Sequence, residues 1–202
     1  VKQTASLIWS FNQLSKVNEQ YVKKLKKEAK IKIGHKTLRI VHGSPDSLSE
    51  LIFPIEKQDR FYDIMNKLKE DILICGHSHQ QWDFKYGNKL AINPGSAGIH
   101  FNETQGAEYS VLEVENKNIR ISHKQIPYEL NELKTRFSYS GLYDESPIWS
   151  ESILQSIKVG ENLTIRLIDY ALELMKKKGE VEDSATIPDE IWVQAGAEYL
   201  LG

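Results

Sequence analysis

The chain has 202 residues, 40% of them hydrophobic and 27% charged, with a formal net charge of −2. This composition is that of an ordinary globular protein with one or two domains, and gives no reason to expect nucleic acid or an anionic membrane as a partner. No apolar run approaches the roughly 20 residues that span a bilayer. One cysteine cannot form an internal disulfide, which suits a reducing cytoplasm. We expect a cytoplasmic protein.

Helix and strand patterns alternate in the first part of the chain. Apolar residues at helical spacing predict one helix over residues 4–28, or two with a break near Ser15, packed against a sheet. A second amphipathic helix is predicted over 57–70, with Phe61, Ile64, Met65 and Leu68 inward. The predicted strands are 31–34, 37–42, 72–75, 81–86, 89–93, 107–114 and 119–126.

The pattern changes at Pro127. Beyond it, four helices are predicted, at 129–137, 147–158, 162–178 and 188–201. We therefore predict an α/β domain over residues 1–126 and a helical extension over 127–202. The chain starts at Val1 inside a helical pattern, so we interpret it as part of a longer protein.

Two histidines follow a buried strand directly, in the sequence Gly76-His77-Ser78-His79. Two imidazoles in one tight turn have little packing rationale, and imidazole is the commonest metal ligand near neutral pH. His42 also follows a strand and precedes a glycine. Because open α/β sheets place ligands at strand ends, His42, His77 and His79 are candidate metal ligands, although each taken singly could be a structural or surface histidine.

The other candidates allow simpler explanations. His35, His100 and His123 are interpreted as structural or surface residues, with His100 the first exception. Cys75 lies inside an apolar strand and is interpreted as a core residue. The turn at Asn93-Pro94-Gly95-Ser96 could cradle a phosphate, with Asn93, Gly95 and Ser96 as contacts, or could be only a tight connection.

The motifs His42-Gly43, Gly76-His77-Ser78-His79 and Asn93-Pro94-Gly95-Ser96 together resemble the calcineurin-like metallophosphoesterase superfamily, in its small bacterial phosphodiesterase-like branch. The resemblance covers residues 1 to about 126. It implies an α/β fold, the C-terminal half of a β-sandwich flanked by helices, with the helical C-terminal extension added. It also implies two divalent metal ions at the sheet edge, from among manganese, iron, zinc and nickel, with manganese favoured.

By this resemblance, His42 and His77 bind one ion and His79 binds the other. The family's Asp-x-His, Gly-Asp and Gly-Asn-His motifs are absent from this sequence, and with them the protonating histidine. We therefore assign no catalytic residue in this chain and expect negligible turnover from it alone. The implied reaction is hydrolysis of a phosphomonoester or phosphodiester, with a phosphorylated small molecule or nucleotide as partner.

Three further possibilities stay open. The helical extension resembles that of enzymes acting on dinucleoside polyphosphates, where Tyr139, Tyr143 and Trp149 could stack on a base, although a packed helical core is the simpler interpretation. The chain could instead be an inactive scaffold that binds proteins, or hold one structural ion with Asp46 as a further ligand. A homo-oligomer is also left open.

Overall fold

The computed structural model describes residues 4–56, 58–101, 106–115, 118–179, 183–184 and 186–200. It is a mixed α/β structure that divides into two compact units. One unit contains residues 24–127, and the other combines the helices before Lys24 with the chain from Tyr128 onward. The histidine motifs and the Asn93–Ser96 motif all lie in the unit of residues 24–127.

The sheet unit is built on five strands in the order β1-β2-β3-β5-β4. The central strands β2, β3 and β5 run parallel, and β1 and β4 close the two edges in antiparallel pairs. Their bounds are β1 Glu28–Ile33, β2 Lys36–Val41, β3 Ile72–Ile74, β4 Gln81–Tyr86 and β5 Lys89–Pro94. The parallel strands therefore bring their carboxyl ends to one edge of the sheet.

Helix α3, Gln58–Lys67, covers one face of this sheet. Its residues Phe61, Ile64 and Met65 are buried, as the sequence predicts. Leu68 follows the helix and is also buried. These side chains pack with sheet residues Val41, Leu73, Cys75 and Ala91. The burial of this apolar face fixes the position of the strands that carry the histidines.

The other face is covered by a separate hairpin of β6, Ala107–Glu115, and β7, Asn118–Ile126. Its inner residues Leu112, Ile119 and Ile121 pack on Leu38, Ile72 and Ile92 of the larger sheet. A polar chain also joins the two sheets, because His123 Nε2 lies 3.1 Å from Asp83 Oδ1 and His123 Nδ1 lies 2.8 Å from Ser110 Oγ. The sequence predicts the connection between these two strands at Asn116-Lys117-Asn118, of which 116–117 lie outside the described residues and Asn118 begins β7.

The helical unit contains α1 Ala5–Asn12, α2 Lys16–Lys23, α4 Leu130–Tyr139, α5 Leu142–Glu145, α6 Pro147–Val159, α7 Leu163–Lys177 and α8 Asp189–Leu200. Its core forms where α7 meets α8, around Leu167, Ala171, Ile191 and Trp192. At Gly196 a Cβ atom would collide with Ile148, so the glycine permits close helix packing. Asn162 caps α7 by accepting a hydrogen bond from the Ile165 amide.

The first helices differ from the prediction. The break near Ser15 is present, but the second helix ends at Lys23, and Glu28 already belongs to β1. Glu28 pairs with Val41 in the strand register and with Arg39 in a 2.6 Å ion pair, so pairing with β2 overrides the local helical pattern. The expected packing of these helices against a sheet stays a prediction. Within their own unit, α1 contacts α5, and α2 has no buried residue.

The predicted stacking aromatics have three different environments. Trp149 packs beside Trp192 in the helical core, and the Tyr143 hydroxyl donates a 2.7 Å hydrogen bond to Glu151. Tyr139 is 89% exposed. The core interpretation thus describes Trp149, while base stacking stays a prediction. Within the described helices, none is both long and apolar enough to cross a bilayer.

Candidate metal centre

Three parallel strands deliver the predicted site residues to one edge of the sheet. β2 ends at Val41 and leads into His42, β3 leads into the Gly76–His79 loop, and β5 leads into the turn at Gly95. The Gly76 amide donates a 2.7 Å hydrogen bond to the His42 carbonyl, which joins the first two strand ends. Ligand sites in open α/β sheets occupy this position.

His42 and His77 are brought into direct contact. Nε2 of His42 lies 3.1 Å from Nδ1 of His77, and the ring centroids are 4.9 Å apart. Two imidazole nitrogens bound to one ion at about 2.1 Å would stand roughly 3.0 to 3.4 Å apart for bond angles of about 90° to 110°. The pair therefore has the spacing that two ligands of one ion need.

His79 lies beside this pair in a more enclosed environment. Its ring stacks on Phe101 with centroids 5.4 Å apart, and its Nδ1 atom is buried without a hydrogen-bond partner. Burial is the main cause that lowers its pKa, followed by the opposing effect of a hydrogen bond with the Ile99 backbone. A neutral ring with one unsatisfied nitrogen is the form of histidine that binds a metal.

Both loop histidines have strained backbones. His77 has φ of 64° and His79 has φ of 54°, whereas most non-glycine residues avoid positive φ. Each such residue costs on the order of 1–2 kcal/mol, so the surrounding structure must hold the loop in place. Strain of this kind is typical of functional sites.

Asn93 supplies much of that support. Its side chain is fully buried, and Nδ2 donates to the Gly76 carbonyl at 3.1 Å and to Ser78 Oγ at 2.9 Å. Its Oδ1 accepts the Gly95 amide at 3.0 Å. The predicted phosphate contact at Asn93 stays a prediction. The structure shows this amide hydrogen-bonded to the Gly76–His79 loop, called the histidine loop below.

The residues set aside in the sequence have clear locations. Cys75 is buried and its Sγ faces the Ile92 carbonyl at 3.6 Å, and burial raises its pKa to about 12. A neutral thiol in the core is a poor metal ligand, as the core interpretation requires. His100 is fully buried, and His35 is exposed in the β1–β2 turn.

The Asp46 side chain, considered above as a further metal ligand, forms an ion pair with helix α3. Its Oδ2 accepts a 2.7 Å hydrogen bond from Arg60, which also binds Glu50 at 2.6 Å. These ion pairs hold the loop that follows His42 against helix α3. They do not favour a mononuclear site completed by Asp46.

The ligand set is incomplete among the residues that the structure describes. No group of three or more histidine, cysteine, aspartate or glutamate side chains in those ranges is arranged to hold a metal ion. The donors present fit part of a metal site, since a pair of nitrogens stands at ligand spacing and a third buried nitrogen lacks a partner. Further ligands would have to come from outside the described residues.

Glu108 is a site residue that our sequence analysis missed. Its carboxylate is buried against the turn after β5, where Oε2 accepts the Ser96 amide at 3.0 Å. Strand alternation offered a signal, because Glu108 lies on the same face of β6 as the inward Leu112. An acidic residue on the inner face of a strand requires a polar partner.

Comparison with known proteins identifies the family of this chain. A model of the calcineurin-like phosphoesterase superfamily domain matches residues 12–125, more than half of the chain. No curated protein matches the sequence.

Solved structures show the same fold. A hypothetical protein from Pyrococcus horikoshii is similar with a TM-score of 0.59 and 18% identity, over 66% of this chain and 53% of that one. A metallophosphoesterase from Sphaerobacter thermophilus is similar with a TM-score of 0.60 and 18% identity, over 76% of this chain and 66% of that one. The chain thus spans between about half and two thirds of the length of these two proteins.

Proposed function

We propose that this chain, which belongs to the calcineurin-like phosphoesterase superfamily, carries part of the metal centre of a phosphoester hydrolase. The observation that carries the proposal is the 3.1 Å approach of the His42 and His77 nitrogens at the ends of adjacent parallel strands. The substrate class is a phosphomonoester or phosphodiester, including nucleotides.

His42 and His77 would hold one divalent ion and His79 a second, with the remaining ligands from outside the described residues. Such ions polarise phosphoryl oxygens and generate a nucleophile from water at neutral pH. Manganese, iron, zinc and nickel all suit nitrogen and oxygen donors, and manganese is our first choice.

In that scheme, the residues of this chain would bind the metal ions and orient the imidazole ligands. The strained loop aims the two imidazoles, and the Asn93 amide keeps the loop in that shape through Gly76 and Ser78. Outer-shell hydrogen bonds of this kind orient histidine ligands, and their loss typically lowers metal affinity about 10- to 100-fold. No described residue of the site is assigned the transfer of a proton to the leaving group.

The test is calorimetric titration of the chain with Mn²⁺, and then of the Mn²⁺-loaded chain with inorganic phosphate. We expect weak Mn²⁺ binding and phosphate binding that requires the metal. His77→Ala should abolish both, while His35→Ala, an exposed turn histidine of the same unit, should change neither. Phosphate binding of equal strength without metal, or Mn²⁺ binding insensitive to His77→Ala, would overturn the proposal.

A further inference from the structure

Glu108 and Ser96 form a two-way contact between β6 and the turn after β5. The Ser96 amide donates to Glu108 Oε2 at 3.0 Å, and the Glu108 amide donates to the Ser96 carbonyl at 2.9 Å. Only 4% of Glu108 is exposed. A buried carboxylate is costly unless it is hydrogen-bonded, so this contact is a constraint on the turn.

The turn is shaped around this carboxylate. Gly95 has φ of +83°, and a Cβ atom at that position would collide with the Glu108 side chain. Glycine is therefore required at position 95 both for the backbone conformation and for the space that Glu108 fills. A phosphate in a turn of this type would occupy the same kind of position, facing the backbone amides.

The amides of the turn already have acceptors within the chain. The Gly95 amide donates to Asn93 Oδ1 at 3.0 Å, and the Gly98 amide donates to Ser96 Oγ at 3.3 Å. With the Ser96 amide bound to Glu108, an anion from solution finds these donors occupied and meets a fixed negative charge.

We infer that Glu108 is the resident anion of the Asn93–Ser96 turn, where its carboxylate excludes substrate phosphate from the turn amides and positions the turn behind the histidine loop. As a statement about substrate, the inference rests on the proposed function. Phosphoryl recognition then falls to the metal centre, and the turn acts as its support.

The positioning role follows a continuous path of hydrogen bonds. Glu108 accepts a hydrogen bond from the Ser96 amide, and the amide of the adjacent Gly95 donates to the Asn93 side chain. The Asn93 side chain in turn donates to the Gly76 carbonyl and to the Ser78 hydroxyl. Ser78 lies between the two strained histidines. Glu108 is thus a positioning residue and not a ligand.

The experiment follows the Gly95 and Ser96 backbone amides by NMR during titration with inorganic phosphate, without metal. The variants are Glu108→Ala, which empties the position, and Glu108→Gln, which keeps the size and an acceptor oxygen. Glu113→Gln is the matched control, because Glu113 lies on the same strand with its side chain 45% exposed.

In the unmodified chain and in Glu113→Gln, phosphate should not shift the Ser96 amide. In Glu108→Ala the shift should appear, and hydrogen exchange of the Ser96 amide should accelerate at least about tenfold, since a hydrogen bond to a charged group is lost. A phosphate shift in the unmodified chain equal to that in Glu108→Ala, or unchanged Ser96 exchange, would overturn the inference.

Should Glu108→Ala fail to fold, Glu108→Gln decides the matter. A neutral acceptor forms a weaker hydrogen bond than a carboxylate, so Ser96 exchange should still accelerate, and an unchanged rate would overturn the inference. These measurements use no metal. A chain that binds no Mn²⁺ would therefore contradict the proposed function, while the inference about Glu108 would still be decided by its own measurements.

Discussion

Nε2 of His42 and Nδ1 of His77 lie 3.1 Å apart, across the ends of two adjacent parallel strands. At this distance one ring donates a hydrogen bond to the other, which uses the lone pair of the acceptor nitrogen. Metal binding by both nitrogens requires both lone pairs. A bound ion and the imidazole–imidazole hydrogen bond are therefore mutually exclusive at this pair.

Strain at His77 predicts a conflict between stability and ligand function. His77→Gly should be more stable to chemical denaturation than His77→Ala by about 1 kcal/mol, because glycine adopts positive φ without the penalty that alanine keeps. Both variants remove the ligand and should lose Mn²⁺ binding alike. Equal stability of the two variants would show that the loop relaxes when His77 is removed.

Asn93 supports the histidine loop through its buried side-chain amide. Asn93→Ala removes three hydrogen bonds, to the Gly76 carbonyl, Ser78 Oγ and the Gly95 amide, and should destabilise the protein by about 2–4 kcal/mol. Urea unfolding measures this, with Asn88→Ala in the exposed β4–β5 turn as control, expected within about 0.5 kcal/mol. A loss at Asn93 no larger than the control would contradict the supporting role.

Asp71 predicts how stability depends on pH. Hydrogen bonds from the Thr37 amide and from Lys36 lower the pKa of Asp71 to about 2. Because the folded pKa lies below the unfolded value near 4, the stabilisation is present above about pH 4 and is lost as the pH falls toward 2.

The corresponding variant is Asp71→Asn. At pH 7 it should cost about 1–2 kcal/mol, after allowance for a side chain that is 32% exposed, and the difference from the unmodified chain should shrink between pH 4 and pH 2. Asp59→Asn, at an exposed position in the first turn of α3, should cost only a few tenths of a kcal/mol. A pH-independent difference at Asp71 would contradict the assignment.

The chain Asp83–His123–Ser110 should couple the two sheets energetically. In a double-mutant cycle of Asp83→Asn and His123→Gln, the coupling energy of unfolding should be about 0.5–1 kcal/mol, because the 3.1 Å contact joins partly exposed side chains. The pair Asp83→Asn and Arg120→Gln, which share no hydrogen bond, should be additive. Additivity in both pairs would show that the Asp83–His123 contact contributes no coupling between the two sheets.

The position of the histidines at strand ends could be predicted from the sequence, because apolar strands that end at glycine carry a local signal. Ile72 to Ile74 and the residues before His42 identify strands, and the parallel pairing of those strands then places their ends together. The support of the site could not be predicted in this way. Asn93 and Glu108 gain their roles only when β5, β6 and the histidine loop meet, through contacts between residues far apart in sequence.

The helical prediction failed for a related reason. Residues after Lys23 continue a charged pattern that suits a helix, but pairing with β2 gives Glu28 a strand partner and an ion pair with Arg39. Local propensity is a weak prior where a neighbouring strand offers a full set of hydrogen bonds. The short helix α5 at Leu142–Glu145 carries too few residues for a periodic signal.

The most direct measurement is the number of Mn²⁺ ions bound per chain after equilibrium dialysis, for the unmodified chain, His35→Ala and the double variant His42→Ala/His77→Ala. The account predicts bound Mn²⁺ in the first two proteins and its loss in the double variant. Equal metal content in all three, or none in the unmodified chain at millimolar Mn²⁺, would contradict a metal site at His42 and His77.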